Sequence, residues 1–215
     1  MKILIGCICV LMLCMSGCGS KVDGEKTSKV SRNTASQIAE VFGNNIKTYQ
    51  DKDFNFTYPG EWVQNSDLIN QSQSIKVSLF DPKPFGGSFY NNVQVAVAML
   101  GATAREAANA TSELLANDSQ PEIGEYKKVS YEDEKDGTGV LISEYHHIPS
   151  DEDVILTEYF VPHGEYLYTL SITFEKSLYD SGGSNMVQKM VESFNVNPNA
   201  EKGQSFEDFK KEHNL

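Results

Sequence analysis

Val93-Gln94-Val95-Ala96-Val97-Ala98-Met99-Leu100 is an extended run that is apolar on both of its sides. Successive side chains of a strand point to opposite faces, so Val93, Val95, Val97 and Met99 line one face while Ala96, Ala98 and Leu100 line the other. A strand apolar on both faces needs cover on both, and helices on two sides of a sheet supply it.

Helical signals flank this strand. Thr103-Ala104-Arg105-Glu106 has the spacing of a capping box, and Ala104, Ala107, Ala108, Thr111 and Leu115 form a stripe of small residues behind it. Past the Gly182-Gly183 break, Val187, Met190, Val191 and Phe194 recur at helical spacing, with Ser184 placed as the cap. Thr34 and Gln37 make a further capping box before Ala35, Ile38, Ala39 and Phe42, and Gly43-Asn44-Asn45 ends that helix.

The remaining extended runs are 46–50, 54–58 and 75–80 before the central strand, then 126–133, 140–147, 154–161 and 166–174 after it. The last four are joined at Asp136-Gly137, at 149–152 and at Pro162-His163-Gly164, connections short enough to require an antiparallel meander. The fold class read from this is α+β, an antiparallel sheet of about six or seven strands sandwiched between helices, within residues 33–197. No internal repeat is present, and 198–215 reads as a tail with a short helix over 205–213.

Two separated segments, Phe54-Asn55-Phe56-Thr57-Tyr58-Pro59-Gly60-Glu61-Trp62 and Tyr166-Leu167-Tyr168-Thr169-Leu170-Ser171-Ile172-Thr173-Phe174 with a helix ending Ser193-Phe194, resemble the PsbP/Mog1-like superfamily. The resemblance spans residues 46–196 and implies the α/β/α layering read above. It also implies company of several kinds: a photosystem extrinsic subunit, a nuclear GTPase-binding protein and bacterial lipoproteins without assigned activity. In this chain Pro59 ends strand pairing, Gly60 bends the backbone, and Trp62 is expected to drop onto the sheet as a core plug.

The start of the chain speaks to compartment. Lys2 precedes thirteen residues, 3–15, that carry no charge, a length that suits a secretion signal and falls short of the about 20 residues a membrane-spanning helix needs. Met15-Ser16-Gly17-Cys18 is similar to a bacterial lipobox, with methionine where leucine is commonest, which implies cleavage after residue 17 and lipid on Cys18. All four cysteines, Cys7, Cys9, Cys14 and Cys18, fall in the first 18 residues, so the exported domain is expected to fold without disulfides. Residues 19–32 are polar and lack an apolar repeat, the composition of a tether.

Removing residues 1–17 leaves 17 basic against 30 acidic residues, a formal charge of −13. Such a chain is repelled by phosphate backbones and anionic headgroups, which excludes nucleic acid as a partner and leaves lipid as the membrane attachment. The expected place is therefore the bacterial cell membrane or envelope surface, with an envelope protein as partner.

Catalytic and metal chemistry have little support in the sequence. Glu144 and His146 share a strand face and are candidate metal ligands, whereas His147 points the other way and the further donors of a complete site are not identifiable. His163 and His213 read as exposed loop groups. The acidic stretches Glu132-Asp133-Glu134 and Asp151-Glu152-Asp153 lack the spacing of a calcium loop. No nucleophile elbow, zinc-protease motif or phosphate-binding glycine loop occurs, so no cofactor and no enzymatic activity are expected. The expectation is a non-enzymatic, membrane-anchored interaction module, with a small-ligand or metal-binding lipoprotein serving a transporter as the alternative.

Overall fold

The computed structural model describes residues 45–84, 87–117, 120–134, 136–203 and 211–212. The helix read at residues 34–42 and the sites at Cys18 and His213 lie outside them, as does all of the 205–213 helix except Lys211 and Glu212.

Seven strands form one antiparallel sheet: β3 (Val63–Gln64), β4 (Ile75–Phe80), β5 (Asn92–Met99), β6 (Ile123–Asp133), β7 (Gly139–His147), β8 (Glu152–His163) and β9 (Tyr166–Glu175), in the order β3-β4-β5-β9-β8-β7-β6. The first two strands read from the sequence do not join it. Here β1 (Ile46–Gln50) and β2 (Phe54–Pro59) pair with a two-residue β10 (Asn195–Val196) in a separate three-stranded sheet. The physical reason is that Phe54 and Phe56 alternate on one face of β2, so this small sheet lies flat on the large one as a cover instead of extending it.

The central strand of the large sheet is β9, buried along all of its length after Tyr166. On one face, Val93, Val95, Tyr168, Leu170, Ile172 and Phe174 meet Phe54 and Phe56, together with helix α4 (Ser184–Ser193). On the other, helix α2 (Ala104–Leu115) sets Ala104, Ala107 and Ala108 against Leu141, Phe160 and Leu167, and Leu115 against Tyr145, Val154 and Leu156. Alanines on the buried side bring the α2 axis close to the strands. The capping box is formed as read: Thr103 Oγ1 accepts from the Glu106 N–H at 3.2 Å while the Glu106 carboxylate accepts from the Thr103 N–H at 2.9 Å.

Trp62 closes the turn after β2 as expected, its backbone N–H donating to Pro59 O at 3.0 Å and its ring lying 5.8 Å from that of Phe174. A one-turn helix, α1 (Ser66–Gln71), follows β3 and lies against β4. None of its residues is fully buried, and no apolar stripe announces it. Two other details differ from the sequence reading. His163 and Pro162 belong to β8, so the turn is confined to Gly164 and Glu165. Ser184 is not a cap: the chain passes through α3 (Lys176–Leu178) and a π-helical turn (Tyr179–Gly183), and Gly182 at φ +116° admits the bend that a capped start would otherwise provide. Among the described residues no helix is long and apolar enough to cross a membrane.

The end of α4 is tied to β2 by one hydroxyl. Ser193 Oγ accepts from the Thr57 N–H at 2.9 Å and from Thr57 Oγ1 at 2.8 Å, and donates to Met190 O at 2.9 Å. Ser193→Ala, which leaves the Thr57 groups without that acceptor, should cost about 1–2 kcal/mol in urea unfolding followed by the fluorescence of Trp62. Ser184→Ala, whose side chain makes no cap bond, should change stability by less than about 0.5 kcal/mol.

Candidate functional site

Alternation along β7 sends the two adjacent histidines to opposite sides. His146 stays about one-third exposed, with Nδ1 3.0 Å from Asp153 Oδ1 and Nε2 3.3 Å from Asp151 Oδ1. The hydrogen bond to Asp153, followed by the charges of both carboxylates, raises its pKa above the ordinary 6.5. Glu144 does not converge with it: its Oε2 lies 3.4 Å from Lys176 Nζ, which also meets Asp180 Oδ2 at 3.3 Å. Among the described residues no set of three His, Cys, Asp or Glu side chains is arranged to hold a metal ion.

His147 is buried, and burial lowers its pKa. Its Nδ1 lies 2.7 Å from Ser150 Oγ, and its ring meets that of Phe89 edge-on at 5.2 Å. A Ser–His pair can suggest an activated nucleophile, but such a base needs a third group orienting it from the far nitrogen. His147 Nε2 is buried and meets no hydrogen-bond partner, so the pair serves to close the β7–β8 turn. His163 is half-buried, with Nε2 3.1 Å from Ala200 O, and Glu165 N–H donates to Lys202 O at 2.6 Å; together they hold residues 200–202 against the β8–β9 turn.

Members of the acidic stretches are likewise engaged. Asp133 accepts from Arg105 and, at 2.6 Å, from Tyr131 Oη. Asp136 Oδ1 accepts from the N–H and Oγ1 of Thr138 at 3.1 and 2.7 Å, fastening the β6–β7 turn in which Gly137 takes φ +86°.

A polar band that the sequence reading did not single out crosses the face beneath α2. Register places Leu141, Glu158, Ser171, Gln94 and Ser78 side by side on β7, β8, β9, β5 and β4. Glu158 is 3 % exposed, accepts from Ser171 Oγ at 3.4 Å, and its Oε2 meets no hydrogen-bond partner. The surroundings contributed by α2, Ala104, Ala107, Ala108 and Thr111, carry no charge. Burial therefore pushes its carboxyl up to about 8. A signal for it stood in the sequence: Val154, Leu156 and Phe160 are the apolar alternates of β8, and Glu158 occupies the one place in that series where a charge interrupts them.

With the architecture in hand, the domain has a PsbP/Mog1-like α+β fold. The solution structure of cyanobacterial PsbP from Synechocystis sp. PCC 6803 superposes with a TM-score of 0.52 over 83% of this chain and 99% of that one, at 16% identity. The Ran-binding protein Mog1p of Saccharomyces cerevisiae superposes with a TM-score of 0.50 over 71% of this chain and 95% of that one, at 13% identity. No family model matches the sequence, and no curated protein matches it.

Glu158 gives the fold a readable pH dependence. Its folded pKa stands above its unfolded one, so the stability it contributes is complete below about pH 4.5 and is lost as pH rises to about 8, at roughly 1.4 kcal/mol per pH unit. Glu158→Gln should leave stability near that of the parent at pH 4.5 and exceed it by about 2–4 kcal/mol at pH 8.5 in urea titrations; equal differences at both pH values would contradict a protonated Glu158.

Proposed function

We propose that the chain is an exported bacterial lipoprotein, held to the membrane surface by lipid on Cys18, whose PsbP/Mog1-like domain acts as a non-enzymatic protein-interaction module. The observation that carries the anchor is Met15-Ser16-Gly17-Cys18 at the end of an uncharged run, with no cysteine beyond it in the chain. Two acyl chains hold a protein stably where one holds it marginally, and lipobox processing attaches at least a diacylglycerol. Residues 19–32 then form a tether of about 14 residues, reaching roughly 20 Å as a random coil.

The interaction role is supported by the fold shared with a Ran-binding protein and by a site chemistry in which the histidines and exposed carboxylates are spent on turns and ion pairs. Fold alone does not carry a partner from one protein to another, so the partner is described by chemistry. A domain this acidic favours an envelope protein with a basic face, through contacts that speed association and weaken with salt.

Two measurements separate the parts of this reading. Mass spectrometry of the mature N-terminal peptide should find a diacylated Cys18, and Cys18→Ser should leave the membrane fraction; a variant processed and retained like the parent would defeat the anchor. Capture with acyl-free domain at low ionic strength should recover an envelope protein that higher salt releases, and an empty capture would remove the interaction role while leaving the anchor standing.

A further inference from the structure

After β10 the chain takes a fixed course across the strand ends. Ala200 O lies 3.1 Å from His163 Nε2 at the end of β8, Lys202 O accepts from the Glu165 N–H at 2.6 Å in the β8–β9 turn, and Gly203 lies against Tyr166 at the start of β9. A Cβ on Gly203 would stand 3.2 Å from Glu165 Cβ and 3.3 Å from the Tyr166 ring, and its φ of +70° disfavours a side chain, so glycine lets the backbone run close to that ring. The segment thus passes β8 and then β9 in sheet order, and β5 comes next.

What β5 presents there is apolar and open. Met99 is 61 % exposed, the most open large hydrophobic side chain among the described residues. It pairs with Tyr166 across the ladder and shares its face with Val97, and both of these neighbours are only partly buried at the margin of the Phe174-side core. Glu165 ties this end of β5 to the outgoing chain: its carbonyl accepts from the Leu100 and Gly101 N–H groups, each at 2.9 Å, while its own N–H holds Lys202. A single exposed methionine is ordinary on a surface, but this one stands beside the point where more chain arrives. Past Gly203 that chain reads Gln204-Ser205-Phe206-Glu207-Asp208-Phe209-Lys210-Lys211-Glu212, with two phenylalanines three residues apart in the run read as a helix. Lys211 and Glu212 are helical and exposed; on such a helix Lys211 falls opposite the two rings and Glu212 at their flank.

We propose that residues 205–213 dock as a helix on the end of β5, with Phe206 and Phe209 seated over Met99, Val97 and Tyr166, and so close the open margin of the Phe174-side core. Reach allows it. Phe206 follows Gly203 within at most about 10 Å of extended chain, and Met99 stands one strand spacing, about 5 Å, beyond the Tyr166 that Gly203 touches. The chain's own rings arrive already tethered beside the patch, at an effective concentration that an outside partner lacks. Methionine suits the seat, because its unbranched thioether adapts to the edges of aromatic rings. The docking is independent of the anchor at the other end of the chain and of any envelope partner.

Hydrogen exchange followed by mass spectrometry on the full chain tests this. Amides of residues 206–213 should exchange more slowly than their intrinsic rates in the parent, and Phe206→Ser, Phe209→Ser and Met99→Ser should each speed them about threefold or more, the effect of breaking a contact between coupled residues. Met99→Ser combined with Phe206→Ser should speed them by less than the product of the two single effects, as direct contact requires. Trp62, which packs on Phe174 at the other end of β9, should keep its parent fluorescence throughout. Tail amides that exchange at intrinsic rates in the parent would overturn the docking, as would a Met99→Ser change that leaves the tail untouched. So would a fluorescence change that tracks the exchange, or protection that grows with protein concentration, which would give the patch to a second copy.

Discussion

Burial of β9 on both faces is the constraint from which the rest of the structure follows. Leu167, Thr169, Ser171 and Thr173 face α2's side of the sheet while Tyr168, Leu170, Ile172 and Phe174 face the other, and all of them are closed to solvent. At about 25 cal/mol per Å2, four such apolar side chains on one face represent several kcal/mol that only a complete cover can recover. One helix is too narrow to supply that cover. On the Phe174 side the gap is filled jointly by α4 and the small sheet, which is why Phe54, Phe56 and Phe194 come from opposite ends of the domain to meet within about 6 Å. The Ser193 hydroxyl fixes how those two covers abut.

The two faces of β9 are not chemically alike. The Phe174 face is mostly apolar, with Thr157 a buried hydroxyl beside Ile172, whereas the α2 face mixes alanine and leucine with Ser171, Thr169, Thr173, Glu158 and Glu175. An apolar layer resists change until it fails as a unit, but a layer containing uncompensated carboxyls changes in stability with every proton gained or lost. A protein displayed outside the cytoplasm, as proposed for this one, would experience ambient pH directly.

How much of this could be read from residues alone depended on whether the signal was local. The Thr103 capping box, the Asp136-Gly137 turn, the two-faced Val93 strand and the opposite pointing of His146 and His147 are consequences of spacing over a few residues, and they appear as read, except that the strand ends at an exposed Met99. The small sheet depended on Phe54 of β2 finding Val196 some 140 residues later, a long-range pairing that leaves no periodic trace in either segment. β3 and α1 are too short to show a period. The glycine break before α4 was legible as a break, but not its π-helical geometry, because Gly182 at positive φ admits several ways of changing direction. Glu158 stands in the sequence as a charge in an apolar alternation, a quieter signal than the adjacent histidines, whose partners are structural.

That contrast bears on function. Residues that attract attention for catalysis make structural contacts: His146 with Asp151 and Asp153, His147 with Ser150, Asp133 with Arg105 and Tyr131, and Asp136 with Thr138. Buried polar atoms without a hydrogen-bond partner include Glu158 Oε2, Glu175 Oε2, Asn91 Nδ2 and His147 Nε2. A shared fold does not choose between recognition and catalysis, so the recognition role proposed above stands on the partner's chemistry and not on the layout of these groups.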